Sequence, residues 1–312
     1  MRVSVRFAVP EDVPICVAMG PFAFGRSDAE QQRIASWLHQ LLLQGRALCA
    51  VVVNESDMLL GFGLSLFISD RFREYLLSAR FIRLLGRELE YYAHSHSVLD
   101  RRAILRQHCR DGLNLVGFYG WRNDLPNEQI ETVKTRLYRS FAYLHYGYHL
   151  KSFLKEVYGE HERSFYTAIG CSVYRTPIDY RQADQPFQPY LIGQTRDEAC
   201  FPYRIADIFQ FGPPPVNLTE RQRTIGQMAY LMRMDDQQIA DCLGVSTGTI
   251  YNAWYRLRRK LDHITEVDNG QRGRSNCLQI MAYRRELIYP LCLHTLFYHK
   301  PNLARHFQIP LI

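Results

Sequence analysis

A chain of 312 residues, 47% of them hydrophobic, is long enough for two domains and can bury a sizeable core. No apolar run reaches the length of a membrane span, and Met1 leads directly into a charged, strand-like segment rather than a signal peptide. The formal net charge of +7 is unevenly spread: residues 217–312 hold 13 Lys/Arg against 8 Asp/Glu, whereas residues 1–216 hold 25 against 23. The eight cysteines include no C-x-x-C pair, which suits a reducing cytoplasm with buried thiols rather than a disulfide framework.

In chain order, Val3 to Phe7 alternates like a strand, and Pro10-Glu11-Asp12 opens a helix. A second helix is predicted from Ala29 to Gln44, with Ile34, Trp37, Leu38, Leu41 and Leu42 on its apolar side. Ala47 to Val53 and Leu59 to Ile68 read as two strands around an Asn54–Asp57 turn, the pattern of a hairpin. Asp70 to Glu90 reads as mostly helical, Gly112 to Trp121 as a strand, and Glu128 to Tyr158 as helix with a break at Gly147. Ser164 to Gly170 is a short helix leading into a strand at Cys171 to Arg175. Strands and helices mixed in this order indicate an α/β or α+β domain over 1–205, followed by a Pro-rich linker at 206–217.

This order resembles the GNAT (N-acetyltransferase) fold. The resemblance rests on the opening Arg6-Phe7-Ala8-Val9-Pro10-Glu11-Asp12, on the hairpin strand Leu59 to Phe67, and on Phe165-Tyr166 followed by Gly170. It implies a domain of about 175 residues in which Tyr166 occupies the place of the family's general-acid tyrosine. The family's acetyl-CoA loop, Q/R-x-x-G-x-G/A, lets backbone N–H groups meet a pyrophosphate at a helix N-terminus. The nearest stretch here, Tyr143 to Tyr148, has a single glycine and tyrosine where a small residue is needed. No catalytic or cofactor-binding residue is therefore assigned, no cofactor is expected, and the domain reads as a sensing or assembly scaffold.

Other constellations are weaker. His94-Ser95-His96 with Asp100 has no third ligand fixed by spacing, so no metal site is assigned. His108 and Cys109 are neighbours in sequence, and adjacent side chains rarely face each other. Trp121-Arg122-Asn123-Asp124 follows a strand, where α/β folds place ligands, though a surface turn fits equally. Tyr138, Phe141, Tyr143, Tyr146 and Tyr148 crowd one stretch, filling a core or lining an apolar pocket.

Residues 218–265 carry the sharpest pattern. Thr219 with Gln222 and Asp235 with Gln238 have capping-box spacing, Gly244 suits a tight left-handed turn, and Ser246 caps a third helix running to Leu261. Ile250, Trp254, Leu257 and Leu261 form its apolar stripe. This segment resembles the LuxR-type helix-turn-helix, with sigma-factor region 4 a close second, through LT-x-x-Q, IA-x-x-LGVS-x-x-TI and a basic RLRRKL end; Trp254 departs from it by its bulk. The resemblance implies double-stranded DNA as partner. Base contacts are expected from Thr249, Tyr251, Asn252 and Arg256, with Tyr255 and Arg259 beside them, and phosphate contacts from Thr247, Arg258 and Lys260.

A helical extension is predicted over 276–312, kinked at Pro290, for dimerisation or packing on the helix-turn-helix. The reading is a cytoplasmic bacterial transcription regulator with an α/β GNAT-like domain and an all-α C-terminal domain. RNA polymerase, a small-molecule or acyl-CoA ligand and a second copy of the chain are its further candidate partners. The alternative reading is a GNAT-like acetyltransferase that the helix-turn-helix localises on DNA.

Overall fold

The computed structural model describes every residue except 1, 24–25, 93–96, 182–187, 200–203, 263, 265–272, 307 and 310–312. The chain begins with β1 (Val3–Phe7), α1 (Asp12–Met19), α2 (Asp28–Leu43), β2 (Ala47–Asn54) and β3 (Leu59–Ile68). Arg6 and Asp12 fix the start of α1: the Arg6 guanidinium donates to both Asp12 oxygens at 2.7 and 3.2 Å, and Asp12 also accepts from Val9 N. Asn54 closes the β2–β3 turn by accepting from the N–H groups of Ser56 and Met58.

Three short helices follow, α3 (Asp70–Ser78), α4 (Leu85–Tyr91) and α5 (Arg101–His108), where one mostly helical run over 70–90 was expected and α5 was not. Then come β4 (Leu113–Trp121), α6 (Asn127–His145), β5 (Leu150–Tyr158), α7 (Glu160–Ala168), β6 (Ser172–Arg175) and β7 (Pro189–Thr195). The strands form one seven-stranded sheet in the order β1-β2-β3-β4-β5-β7-β6. Every neighbouring pair is antiparallel except β4 and β5, which are parallel and joined by the crossover helix α6.

The expected helix over 128–158 is corrected here: it ends at His145, and 150–158 is a central strand. Leu150, Phe153, Leu154 and Val157 fall at helical spacing, but β5 lies between β4 and β7 and is buried on both faces, so it loses the alternation that marks a strand. Gly147 separates the two elements with φ +108, and a Cβ there would meet Arg285 O at 2.5 Å.

The C-terminal third is helical: α8 (Glu220–Leu231), α9 (Asp236–Leu243), α10 (Thr247–Leu261), α11 (Arg274–Tyr283), α12 (Leu291–His299) and α13 (Pro301–His306). Both capping boxes form, Gly244 is left-handed at φ 64 and ψ 42, and Pro290 precedes α12. Residues 210–219 are irregular, whereas the start of the expected linker at 206–217 falls in a 3-10 helix, Arg204–Phe209.

The C-terminal helices nonetheless share an apolar core with the sheet. Ile225, Met228, Trp254 and Leu257 belong to the same cluster as Val5, Val52, Val133, Leu137 and Phe297. Polar contacts cross the same boundary: Tyr143 Oη donates to Leu231 O at 3.3 Å, Cys49 N donates to His294 Nε2 at 3.1 Å, and Arg305 Nη2 donates to Glu11 Oε2 at 3.2 Å. The expectation of a self-contained all-α domain is thus modified, because burying α6 and β1 requires the residues of α8, α10 and α12.

Candidate functional site

The parallel pair β4/β5 diverges within the sheet. Their register runs from Leu113 opposite Leu150 to Gly117 opposite Lys155 and stops there. Beyond that point Phe118 to Trp121 stay paired with β3, while Glu156 to Tyr158 stay paired with β7. The opening wedge is covered by α6, and two glycines, Gly63 and Gly117, leave its floor without side chains. The result is a cavity of about 60 Å³ walled by Leu137, Phe141, Phe153, Tyr119, Tyr138 and Tyr166.

Lys155 projects into this cavity and is 4% exposed. Its Nζ donates to Tyr166 Oη at 2.5 Å and lies 2.9 Å from the centre of the Tyr119 ring. Tyr166 Oη in turn donates to Tyr138 Oη at 3.3 Å. Burial drives the Lys155 amine well below its ordinary pKa, with Cys171 opposing only weakly, because no carboxylate stands beside it to offset the lost hydration. The ring contacts favour the ammonium by about 2 kcal/mol or more, set against the several kcal/mol of removing a charge from water. Burial therefore favours the neutral amine over the ammonium at Lys155. Burial likewise holds Tyr166 as the phenol and pushes the Cys171 thiol up to about 12.

Tyr166, Tyr138 and Phe141 were singled out in the sequence and converge here. Lys155 was not, because its segment read as helix. The available signal was scarcity: the chain has five lysines against 33 arginines, and Lys155 stands inside the apolar run Phe153-Leu154-Lys155-Glu156-Val157.

Acetyl-CoA does not fit this cleft. The segment entering a helix beside the wedge is Arg122 to Pro126, which contains no glycine. Pro126 has no N–H, Arg122 is engaged by Asp124 at 2.9 and 2.6 Å, and Glu128 adds negative charge in the first turn of α6. A pyrophosphate there would meet the Asp124 and Glu128 carboxylates and no glycine-rich loop. The other stretch considered, Tyr143 to Tyr148, lies at the C-terminal end of α6, where the helix dipole repels anions.

His94 and His96 lie outside the described residues, and among the described residues no group of three or more His, Cys, Asp or Glu could hold a metal ion. His108 is buried against Tyr289 and bonds Glu286 O at 3.1 Å, while Cys109 donates to Asn217 Oδ1 at 3.2 Å, so the two do not act as a pair.

The second surface is the outer face of α10. Ile250, Trp254, Leu257 and Leu261 are buried, and Tyr251 and Tyr255 are each 64% exposed. Asn252, Arg256 and Arg259 are also exposed, and Thr247 and Thr249 are half-buried at the helix start. Ser246 accepts from Thr249 N at 3.3 Å, which fixes that end. Two of the expected phosphate contacts are already engaged: Lys260 Nζ donates to Asn217 O at 3.1 Å, and half-buried Arg258 pairs with Asp262 at 3.5 Å.

No family model matches the chain, and no curated protein matches it. Solved structures do. An acetyltransferase related to histone acetyltransferase HPA2 from Corynebacterium glutamicum is 10% identical, with 62% of this chain and 97% of that one covered at a TM-score of 0.38. A ribosomal-protein-S5-alanine acetyltransferase from Vibrio fischeri is 11% identical, covering 62% and 93% at 0.37. An N-acyl amino acid synthase from uncultured soil microbes is 11% identical, covering 63% and 94% at 0.37. These three matches cover somewhat less than two thirds of this chain, each with a TM-score below 0.5. Among the described residues no helix is long and apolar enough to cross a membrane.

Proposed function

We propose that this chain is a DNA-binding regulator whose GNAT-like sheet holds a small, mostly apolar ligand in the β4/β5 cleft. The observation that carries the DNA-binding part is the two-sided build of α10. Its apolar stripe is buried, while Tyr251, Asn252, Tyr255, Arg256 and Arg259 stand clear of the protein on one helix. A helix presented in this way can enter a major groove, with Asn252 and Arg256 offering bidentate hydrogen bonds to base edges and Arg259 a charge for phosphate. The shared core supplies the coupling. Leu137 lines the cleft and also belongs to the cluster that contains Trp254 and Leu257, so a ligand that shifts α6 strains the seat of α10.

The test is selection of bound sequences from a random duplex library by the full-length protein at near-physiological salt. Enrichment of one motif is expected. A folded protein that enriches nothing contradicts the reading.

A second reading, acyl transfer localised on DNA, is favoured by Lys155 and Tyr166 meeting where the strands part. It requires an acyl donor without a diphosphate, given the acidic, glycine-free segment at the start of α6. Transfer of a radiolabelled acyl group from a simple thioester such as an N-acetylcysteamine derivative to an added amine would support it. The absence of turnover above the uncatalysed rate would remove it.

A further inference from the structure

The cleft contains an amine that DNA binding does not use. Lys155 is buried and aimed into a cavity whose other walls, Lys134 apart, are aromatic, aliphatic or glycine. Tyr119, which lines the same cavity, has a buried Oη with no hydrogen-bond partner, so the cavity offers a polar group that an incoming oxygen could satisfy. A space of 60 Å³ takes about four to six water-sized atoms, which limits an occupant to a short chain with one polar end. Tyr138, which lines the cavity, is 37% exposed and stacks at 5.9 Å on Phe165, itself 44% exposed.

We propose that Lys155 is a nucleophile that captures a short apolar aldehyde or ketone as an imine, with Tyr166 carrying the protons. This deepens the reading of the cleft as the ligand site and rests on it. The Nζ lone pair attacks the carbonyl carbon, a C–N bond forms, and the carbonyl π electrons move to oxygen, which takes the proton of Tyr166 Oη. The proton released from nitrogen returns to Tyr166, giving a carbinolamine. Tyr166 then protonates the carbinolamine hydroxyl, the C–O bond breaks, water leaves, and the remaining N–H proton passes back to Tyr166. The sum is amine plus carbonyl to imine plus water, with no change of oxidation state.

Three features of the site serve this step. A neutral lysine in an apolar pocket is the nucleophilic form. Tyr166 is already hydrogen-bonded to the nitrogen and remains the phenol at neutral pH. Gly63 lines the cavity with only Leu137 Cδ2, at 3.9 Å, near the place its side chain would take, and Gly117 lines it opposite Lys155 in the strand register.

The experiment treats the full-length protein at pH 7 with butanal and cyanoborohydride, then maps modified lysines by peptide mass spectrometry. Lys155 is expected to gain the butyl group at least about tenfold faster than each of Lys134, Lys151, Lys260 and Lys300, since each unit of lowered pKa multiplies the neutral fraction about tenfold. Labelling of Lys155 no faster than the other four overturns the proposal. Tyr166→Phe should slow labelling of Lys155 by at least about tenfold, within the usual range for general acid–base assistance; an unchanged rate overturns the role given to Tyr166. Binding of butan-1-ol, an unreactive analogue, is followed in parallel by tyrosine fluorescence. If the alcohol binds and Lys155 is not labelled, the covalent step fails while the ligand site stands. If neither occurs, both fail.

Discussion

Trp254 Nε1 donates to Asp236 Oδ1 at 3.0 Å, and Arg274 Nη1 donates to the same oxygen at 2.9 Å. Through this one carboxylate, α10 is tied to the first turn of α9 and to the start of α11. The indole is 2% exposed, so the bulk that sets Trp254 apart from its relatives in the sequence pattern becomes an anchor for the helix that faces solvent.

Trp254→Phe should keep the packing and lose the hydrogen bond, with Asp236 still held by Arg274, at a cost of about 1–2 kcal/mol. Trp254→Ala should cost about 3–5 kcal/mol through the cavity it leaves. Urea unfolding of the two variants measures the difference. Equal losses would contradict the division between bond and bulk.

The glycines of β3 are not equivalent. A Cβ at Gly61 would meet Val133 Cγ1 at 2.6 Å and Gly120 O at 3.0 Å, whereas a Cβ at Gly63 meets only Leu137 Cδ2 at 3.9 Å. Gly61→Ala should therefore cost about 1–3 kcal/mol, and Gly63→Ala should stay within about 0.5 kcal/mol of the parent. Because Gly63 floors the cleft, its substitution should still slow aldehyde capture at Lys155. Unfolding midpoints and the labelling rate check both statements.

Three buried histidines predict acid sensitivity. Burial lowers His108 to about 3 and His145 and His294 to about 4, below their unfolded value of 6.5. The unfolded chain thus binds more protons than the native one in this window. The stability is fully present above pH 6.5 and is lost as pH falls from 6.5 toward 4, each histidine adding a slope of up to about 1.4 kcal/mol per pH unit. Glu162 acts oppositely: burial raises it to about 7 from 4.5, so it weakens the fold as pH rises between those values. Three groups outweigh one, and urea midpoints should fall on acidification below pH 6.5. Glu162→Gln should raise stability at pH 8 by about 1–3 kcal/mol and leave pH 4 unchanged. A flat pH profile, or an effect of Glu162→Gln at pH 4, would contradict the assignment.

Most of the architecture was legible where burial was one-sided. The β2–β3 hairpin announced itself through Asn54 to Asp57, and the three helices of 218–261 through their caps and Gly244. What failed were elements buried on both faces or weakly patterned. β5 has apolar residues at positions that also satisfy a helix, so Lys155 was placed on the wrong kind of element and its meeting with Tyr166 could not be foreseen. β7, which opens with Pro189, and the short helix α5 were missed for lack of any pattern. The packing of α12 on β1, β2 and α2 depends on contacts between residues some 250 positions apart, which no local window records.

The most direct test of the account concerns the outer face of α10. Binding to a selected duplex and to a scrambled one is measured for the parent, Asn252→Ala and Arg259→Ala over a range of salt. Asn252→Ala should lose about 1–3 kcal/mol on the selected duplex and little on the scrambled one. Arg259→Ala should weaken both about equally and lower the salt slope by about one. If both variants bind both duplexes as the parent does, α10 does not read DNA and the central claim is wrong.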